Sequence, residues 1–194
     1  MNIAKRLAAA VAVAAGLLTL VVAPQASAAE QPIPGITLQP YDGPAADPDH
    51  PAWVLRSGWT GRCLEPDLDR LFQNGGAVHL STCGNTAAQA WYVTKNPEGY
   101  YRFQNTVDGK YIEASKSIPG GGVNGTQVQL WGFLAGAQNQ WWKASVNPEG
   151  FLRLQNAQFG RYLQASKTVP GGGVDGTKVE IWDYTAGATN QFWK

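Results

Sequence analysis

The chain has 194 residues, of which 44% are hydrophobic, 15% charged and 11% aromatic, with a formal net charge of +1. That length fits one domain with or without a tail, and the charged fraction is low against a typical value of about 25%. Twenty-three glycines and twelve prolines argue against a helix-rich fold, the aromatics exclude disorder throughout, and the near-neutral balance leaves no electrostatic footprint for nucleic acid or an anionic membrane.

Lys5 and Arg6 precede an apolar run from Leu7 to Ala23, and Ala26-Ser27-Ala28 follows. A basic start, a short apolar stretch and a small-residue A-x-A site read as a secretory signal peptide over residues 1–28, cleaved near Ala28. The alternative is an uncleaved anchor, for which the run is a little short. The mature chain is therefore expected to be secreted, soluble and not inserted in a membrane. Cleavage removes two cations and no anion, taking the charge from +1 to −1. Residues 29–51 carry Pro32, Pro34, Pro40, Pro44, Pro48 and Pro51 with no sustained apolar period. Proline fixes φ and removes donors, so this segment reads as an extended linker or the edge of a lid, without assigned secondary structure.

Residues 52–194 repeat three times, over about 52–94, 95–144 and 145–194. Gln89-Ala90-Trp91, Gln140-Trp141-Trp142 and Gln191-Phe192-Trp193 are Q-x-W tripeptides at equal spacing. Upstream of each lies a glycine-basic-x-aliphatic segment: Gly61-Arg62-Cys63-Leu64-Glu65, Gly109-Lys110-Tyr111-Ile112-Glu113 and Gly160-Arg161-Tyr162-Leu163-Gln164. Within a repeat the period is two. Tyr101-Arg102-Phe103, Leu152-Arg153-Leu154, Val128-Gln129-Leu130-Trp131 and Val179-Glu180-Ile181-Trp182 all alternate, which predicts half-buried strands bounded by Gly, Asn and Pro turns. Each repeat offers about four short strands. Three such units cannot each bury a face alone, but packed about a three-fold pseudo-axis they close an all-β barrel and remove most sheet edges. Trp91, Trp142 and Trp193 are expected in the shared core, where their indole N–H groups need acceptors. Trp141 and Phe192 are expected to face outward by alternation, and Trp53 and Trp59 to seal the barrel.

The run G-x-C-L-[DE], then V-x-L-W, then N-Q-x-W resembles the repeat of the ricin B-type β-trefoil lectins, and the resemblance spans 52–194. It implies a β-trefoil and a non-catalytic carbohydrate-binding function, with a shallow cup on each repeat. A sugar ring has an apolar C–H face that a flat aromatic ring can cover. Its fringe of hydroxyls exchanges hydrogen bonds with a carboxylate and an amide. By that resemblance the second repeat is the fullest site, with Glu113 as hydroxyl acceptor, Trp131 as stacking platform, Asn139 as amide partner and Gln129 and Gln140 in support. Glu113 departs from the family's usual aspartate, which bears on monosaccharide preference. The third repeat keeps Trp182, Asn190 and Gln191 but has Gln164 in place of the carboxylate, losing the stronger charge-assisted bond; Glu180 stands two residues before Trp182 and compensates if it points into the cup. The first repeat keeps Glu65 but has Ser81 and Ala88 at the platform and amide positions, and no ordinary sugar site is expected there. His79 reads as a satisfied strand histidine.

Cys63 and Cys83 are the only cysteines. In a secreted chain an isolated pair implies one disulfide, at a place where the family often has one. Two cysteines and His79 supply too few ligands for a metal, and no cofactor is implied. The loops Ser115–Gly125 and Ser166–Gly176 look long for the family and each carries a lysine, Lys116 or Lys167. They read either as plain surface loops or as pocket walls that meet an acidic or hydroxyl-rich sugar. A glycosidase needs two carboxylates facing across a cleft, which equivalent positions on different repeats do not supply, and no G-x-S-x-G or H-E-x-x-H occurs. The expected partner is thus an oligosaccharide or polysaccharide, bound by a monomer. The alternative is a protein-binding trefoil, such as a protease inhibitor or toxin partner, with degenerate sugar sites.

Overall fold

The computed structural model describes residues 30–44, 47, 49–117, 121–168 and 172–194; the leader read over 1–28 lies outside them. Strand β1 (Gln39–Pro40) precedes the repeats. The first repeat holds β2 (Trp53–Val54), β3 (Cys63–Pro66), β4 (Gly76–Ser81) and β5 (Ala90–Lys95). The second holds β6 (Tyr100–Asn105), β7 (Tyr111–Ala114), β8 (Thr126–Trp131) and β9 (Trp142–Val146). The third holds β10 (Leu152–Asn156), β11 (Tyr162–Ala165) and β12 (Thr177–Trp182). Its fourth strand shrinks to Trp193, which bridges both Ser57 and Leu152 and so joins the end of the barrel to its beginning.

The three-fold arrangement is visible in the pairings. Strands β3–β4, β7–β8 and β11–β12 form antiparallel hairpins. Their second strands then pair with one another in a triangle, β4 with β8, β12 with β4 and β12 with β8. The architecture is a β-trefoil. Alternation explains the strands: Val78 and Leu80, Val128 and Leu130, Val179 and Ile181 all point into one core. The glycine opening each hairpin is required by backbone shape, since Gly61, Gly109 and Gly160 take φ of +73°, +70° and +68°.

Trp91, Trp142 and Trp193 fill the centre, fully buried as expected. Their Nε1 atoms donate to the carbonyls of Leu64, Ile112 and Leu163 at 3.3, 3.3 and 3.2 Å. Each tryptophan thereby ties its own end of the repeat to the hairpin strand that carries the G-x-x-[LI] segment. Trp53 is buried in the same core and Trp59 packs at its margin.

Two readings of the sequence differ from what the structure holds. The segment before residue 52, read as an extended linker, supplies β1, which pairs with β2, and buries Ile33, Ile36 and Leu38 in the main core. Those aliphatics lie too close together and too far from any repeat to announce a period, yet the open end of the barrel has apolar area to cover. Phe192, expected to face outward, is only 8% exposed. It stacks on Phe151 with ring centroids 5.4 Å apart, and the Arg153 guanidinium lies 4.5 Å from its centroid.

Cys63 and Cys83 form a disulfide that closes a separation of 20 residues across the first hairpin. Closing a loop of that size stabilises a fold by about 3 kcal/mol in the chain-entropy treatment. The double variant Cys63→Ala/Cys83→Ala should therefore unfold in one transition with Tm lowered by roughly 6–12 °C, read by differential scanning calorimetry.

Candidate functional site

The residue after the buried leucine or isoleucine of each hairpin lies directly across from a residue of the partner strand, on the face opposite the core. These cross-strand pairs are Glu65 with His79, Glu113 with Gln129, and Gln164 with Glu180. Residues so opposed have Cβ atoms roughly 5 Å apart and interact directly. Every repeat therefore puts a single carboxylate into the same geometric slot, and the third repeat does so from the other strand.

In the second repeat, Glu113 is 4% exposed. Gln129 Nε2 donates to its Oε1 at 2.9 Å and Gln140 Nε2 to its Oε2 at 3.2 Å. The predicted supporters are thus assembled around the predicted acceptor. In the third repeat Gln164 Nε2 donates to Glu180 Oε1 at 3.1 Å, while Gln164 Oε1 accepts from Asn190 Nδ2 at 3.2 Å and Gln191 Nε2 at 3.3 Å. Glu180 is 2% exposed and has a cation of its own, Lys178 Nζ at 3.3 Å from Oε2. In the first repeat Gln89 Nε2 donates to Glu65 Oε2 at 2.7 Å and His79 Nε2 stands 3.7 Å from Oε1. His79 is accounted for by that neighbour.

The Q-x-W glutamines do a second job. Gln89, Gln140 and Gln191 also donate to the carbonyls of Thr82, Gly132 and Asp183 at 2.9, 2.8 and 2.8 Å. Their carbonyls accept from the backbone of Gly84, Leu134 and Thr185 at 2.9, 3.3 and 3.3 Å. They clamp the loop after the third strand of each repeat. That loop is the wall of the cup, so Gln140 and Gln191 shape it from behind, fully buried, rather than line it.

Asn139 and Asn190 donate through Nδ2 to the carbonyls of Ala114 and Ala165 at 3.0 and 2.8 Å. Asn139 Oδ1 is buried without a hydrogen-bond partner among the described residues, an unmet acceptor of a kind that native folds rarely keep. Trp131 and Trp182 are half-buried at the strand ends, opposite Tyr111 and Tyr162. In the third repeat the predicted residues Gln164, Trp182 and Asn190 converge on one open cleft of about 320 Å³. The cleft is walled by Thr185–Ala188 and by Lys167 and Thr168 at the start of the long loop. The Lys167 ammonium lies 5.3 Å from the ring centroid of Trp59, which belongs to the first repeat.

Two arginines went unnoticed in the sequence. Arg102 lies 3.8 Å from the ring centroid of Trp141 and 4.6 Å from that of Phe133. Arg153 lies 4.5 Å from that of Phe192 and 5.0 Å from that of Tyr184. Each braces the loop and the middle aromatic of Q-x-W through cation–π contact. Burial holds the Arg102 pKa below the ordinary arginine value. The signal was their common offset within Tyr-Arg-Phe and Leu-Arg-Leu, hidden because an arginine in an alternating strand reads as an outward residue.

A three-fold all-β barrel with a half-buried tryptophan ending the third strand of two of its repeats defines a β-trefoil. Residues 44–131 and 88–182 match the family described as ricin-type beta-trefoil lectin domain-like, and the chain belongs to that family. No curated protein matches the chain in sequence. Among solved structures it is similar to the designed three-fold symmetric protein ThreeFoil, with a TM-score of 0.66 and 21% identity over 74% of this chain and 96% of that one. An exo-β-1,3-galactanase from Clostridium thermocellum gives 0.65 and 23% over 74% of this chain, which spans 29% of the galactanase. The Macrolepiota procera ricin B-like lectin in complex with lactose gives 0.59 and 14%, over 74% of this chain and 92% of the lectin. At these identities the likenesses establish the fold.

The exchange of carboxylate and amide between repeats is directly testable. Glu113→Gln should cost about 1–3 kcal/mol, because one of the two buried glutamine amides then faces another amide donor. Glu113→Gln/Gln129→Glu rebuilds the arrangement of Gln164 and Glu180 and should recover part of that loss. Urea unfolding of the four members of the cycle measures the coupling.

Proposed function

We propose that the protein is a secreted, non-catalytic carbohydrate-binding protein that holds sugar hydroxyls in the shallow cups of its second and third repeats. The observation that carries this reading is the convergence of Gln164, Trp182 and Asn190 on one open cleft. Three residues assigned to a sugar cup from their sequence positions meet there, from three different segments. The second repeat has the same register: Glu113 pairs across from Gln129, Trp131 from Tyr111, and Asn139 donates to the Ala114 carbonyl. Because it keeps the carboxylate at the family's position, it is the principal site in this reading.

The ring of Trp131 or Trp182 covers the apolar face of a pyranose, while the amides and the wall loop meet its hydroxyls. Family membership and the lactose-bound neighbour favour a sugar ligand. A non-catalytic role agrees with the placement of Glu65, Glu113 and Glu180, each on its own repeat and each turned into its own hydrogen-bond network. Single cups of this size should bind in the range of roughly 0.1–1 mM, and two on one rigid frame gain avidity on a polymer.

A second reading, as a binder of proteins, draws on the first repeat. Phe72 there is 67% exposed and Leu68 lies exposed on the same loop. Competition separates the two, since free sugar displaces a glycan but leaves a protein partner in place.

Isothermal titration with galactose- and glucose-based oligosaccharides, backed by pull-down on insoluble polysaccharides, tests the proposal. Trp131→Ala should remove the tighter class of sites and Trp131→Ala/Trp182→Ala all binding, with a single cooperative unfolding transition retained at a lower Tm because both rings are partly buried. Full binding by the folded double variant would overturn it.

A further inference from the structure

We propose that the cup of the third repeat selects saccharides bearing an anionic group, a uronate carboxylate or a sulfate, and that Lys167 is the residue that selects them. This rests on the carbohydrate-binding reading of that cup. The argument is one of charge accounting between two cups built on the same frame.

In the second repeat the buried carboxylate of Glu113 is held by neutral amides alone, Gln129 and Gln140. Gln127, which pairs across from Glu180 of the neighbouring repeat, is neutral as well. The floor of that cup therefore keeps a net negative charge, which offsets the ammonium of Lys116 at the position equivalent to Lys167.

In the third repeat the floor is different in three linked respects. The carboxylate has moved across the hairpin to Glu180 and leaves the amide of Gln164 facing the cleft. Lys178 occupies the position equivalent to Gln127, and its Nζ pairs with Glu180 Oε2 at 3.3 Å. The carboxylate is thus both buried and neutralised. Asp183, next to Trp182, is taken up by Arg161 at 3.0 Å and by Asn124 at 2.9 Å. Among the described residues that line the cleft, Lys167 is the one that carries a charge. It has no carboxylate within ion-pair distance among the described residues, and its ammonium rests instead against the Trp59 ring at 5.3 Å. An aromatic face orients a cation without neutralising it. The result is a cup with an aromatic platform (Trp182), two amides (Gln164, Asn190) and one oriented, uncompensated cation on its rim. That is the complement of a pyranose with a single exocyclic anion.

The test uses the whole protein and three probes: galactose, galacturonate and galactose 6-sulfate. Indole N–H signals of Trp131 and Trp182, assigned through Trp→Phe variants, report the two cups separately in 15N NMR titrations. At the Trp182 signal both anionic probes should bind about threefold or more tightly than galactose, the scale of one exposed ion pair. Their advantage should disappear at 1 M NaCl, where the Debye length is about 3 Å. At the Trp131 signal, where the charge of Glu113 offsets that of Lys116, the anionic probes should show no such advantage. Lys167→Gln should equalise the three probes at Trp182, whereas Lys143→Gln, which removes the same charge from an exposed strand position, should not. The stronger of the two anionic probes identifies the preferred group. Equal or weaker binding of both anionic probes at Trp182, or an advantage that survives Lys167→Gln, would overturn the proposal. If no probe moves either indole signal, the carbohydrate-binding reading itself falls and takes this inference with it.

Discussion

A buried indole N–H that finds no acceptor costs more than its ring gains in small adjustments of packing, and this protein meets that demand three times with one device. Trp91, Trp142 and Trp193 each donate to the carbonyl of the aliphatic residue in the G-x-x-[LI] strand, Leu64, Ile112 and Leu163. The bond joins the last strand of a repeat to its second strand. It also fixes the next side chain along that strand, because successive residues of a strand point to opposite faces. Once the aliphatic residue is pinned inward, Glu65, Glu113 and Gln164 must point outward, toward the cup. The glutamine two residues before each tryptophan is then in reach of that side chain and of the loop that walls the cup. Core and cup share one hydrogen-bonded unit, so neither can be redesigned without the other.

On this common frame the repeats have diverged in charge rather than in shape. Each keeps one carboxylate in the same slot, but its partners differ: a histidine and an amide in the first, two amides in the second, a lysine and an amide in the third. A buried carboxylate held by neutral amides leaves a negative field, whereas a lysine removes it. The same exchange that departs from the family's pattern in the third repeat thus changes the local charge beneath Trp182. The long loops follow a similar logic. Gly122 and Gly173 take φ of +89° and +91°, a region that favours glycine, and a Cβ at Gly122 would also collide with the Phe159 ring. The first repeat has Phe72 at the equivalent point with φ of +65° and the side chain 67% exposed. A bulky residue in that region carries backbone strain, and it accompanies a repeat that has lost its platform and gained a disulfide.

The period of 51 residues, the two-residue alternation and the glycine before each hairpin made the three-fold barrel, its strand pattern and its central tryptophans readable in advance. Those features are local or strictly periodic, and the residue types that satisfy them are few. The packing of Ile33, Ile36 and Leu38 was not readable, because three aliphatics among prolines have no period and their burial depends on an opening made by residues far along the chain. Nor was the covering of Phe192, which Phe151 and Arg153 close over on the face away from the core. By itself, then, the sequence determined which residues belong to the repeat, to the core and to the outer face of the hairpins. Only the tertiary structure decided which carboxylate is neutralised, which arginine braces which ring and which lysine stands over a cleft. Those outcomes rest on distances of three to six ångströms between residues from different strands and repeats, and electrostatic energy is set by distance and burial rather than by position in the chain.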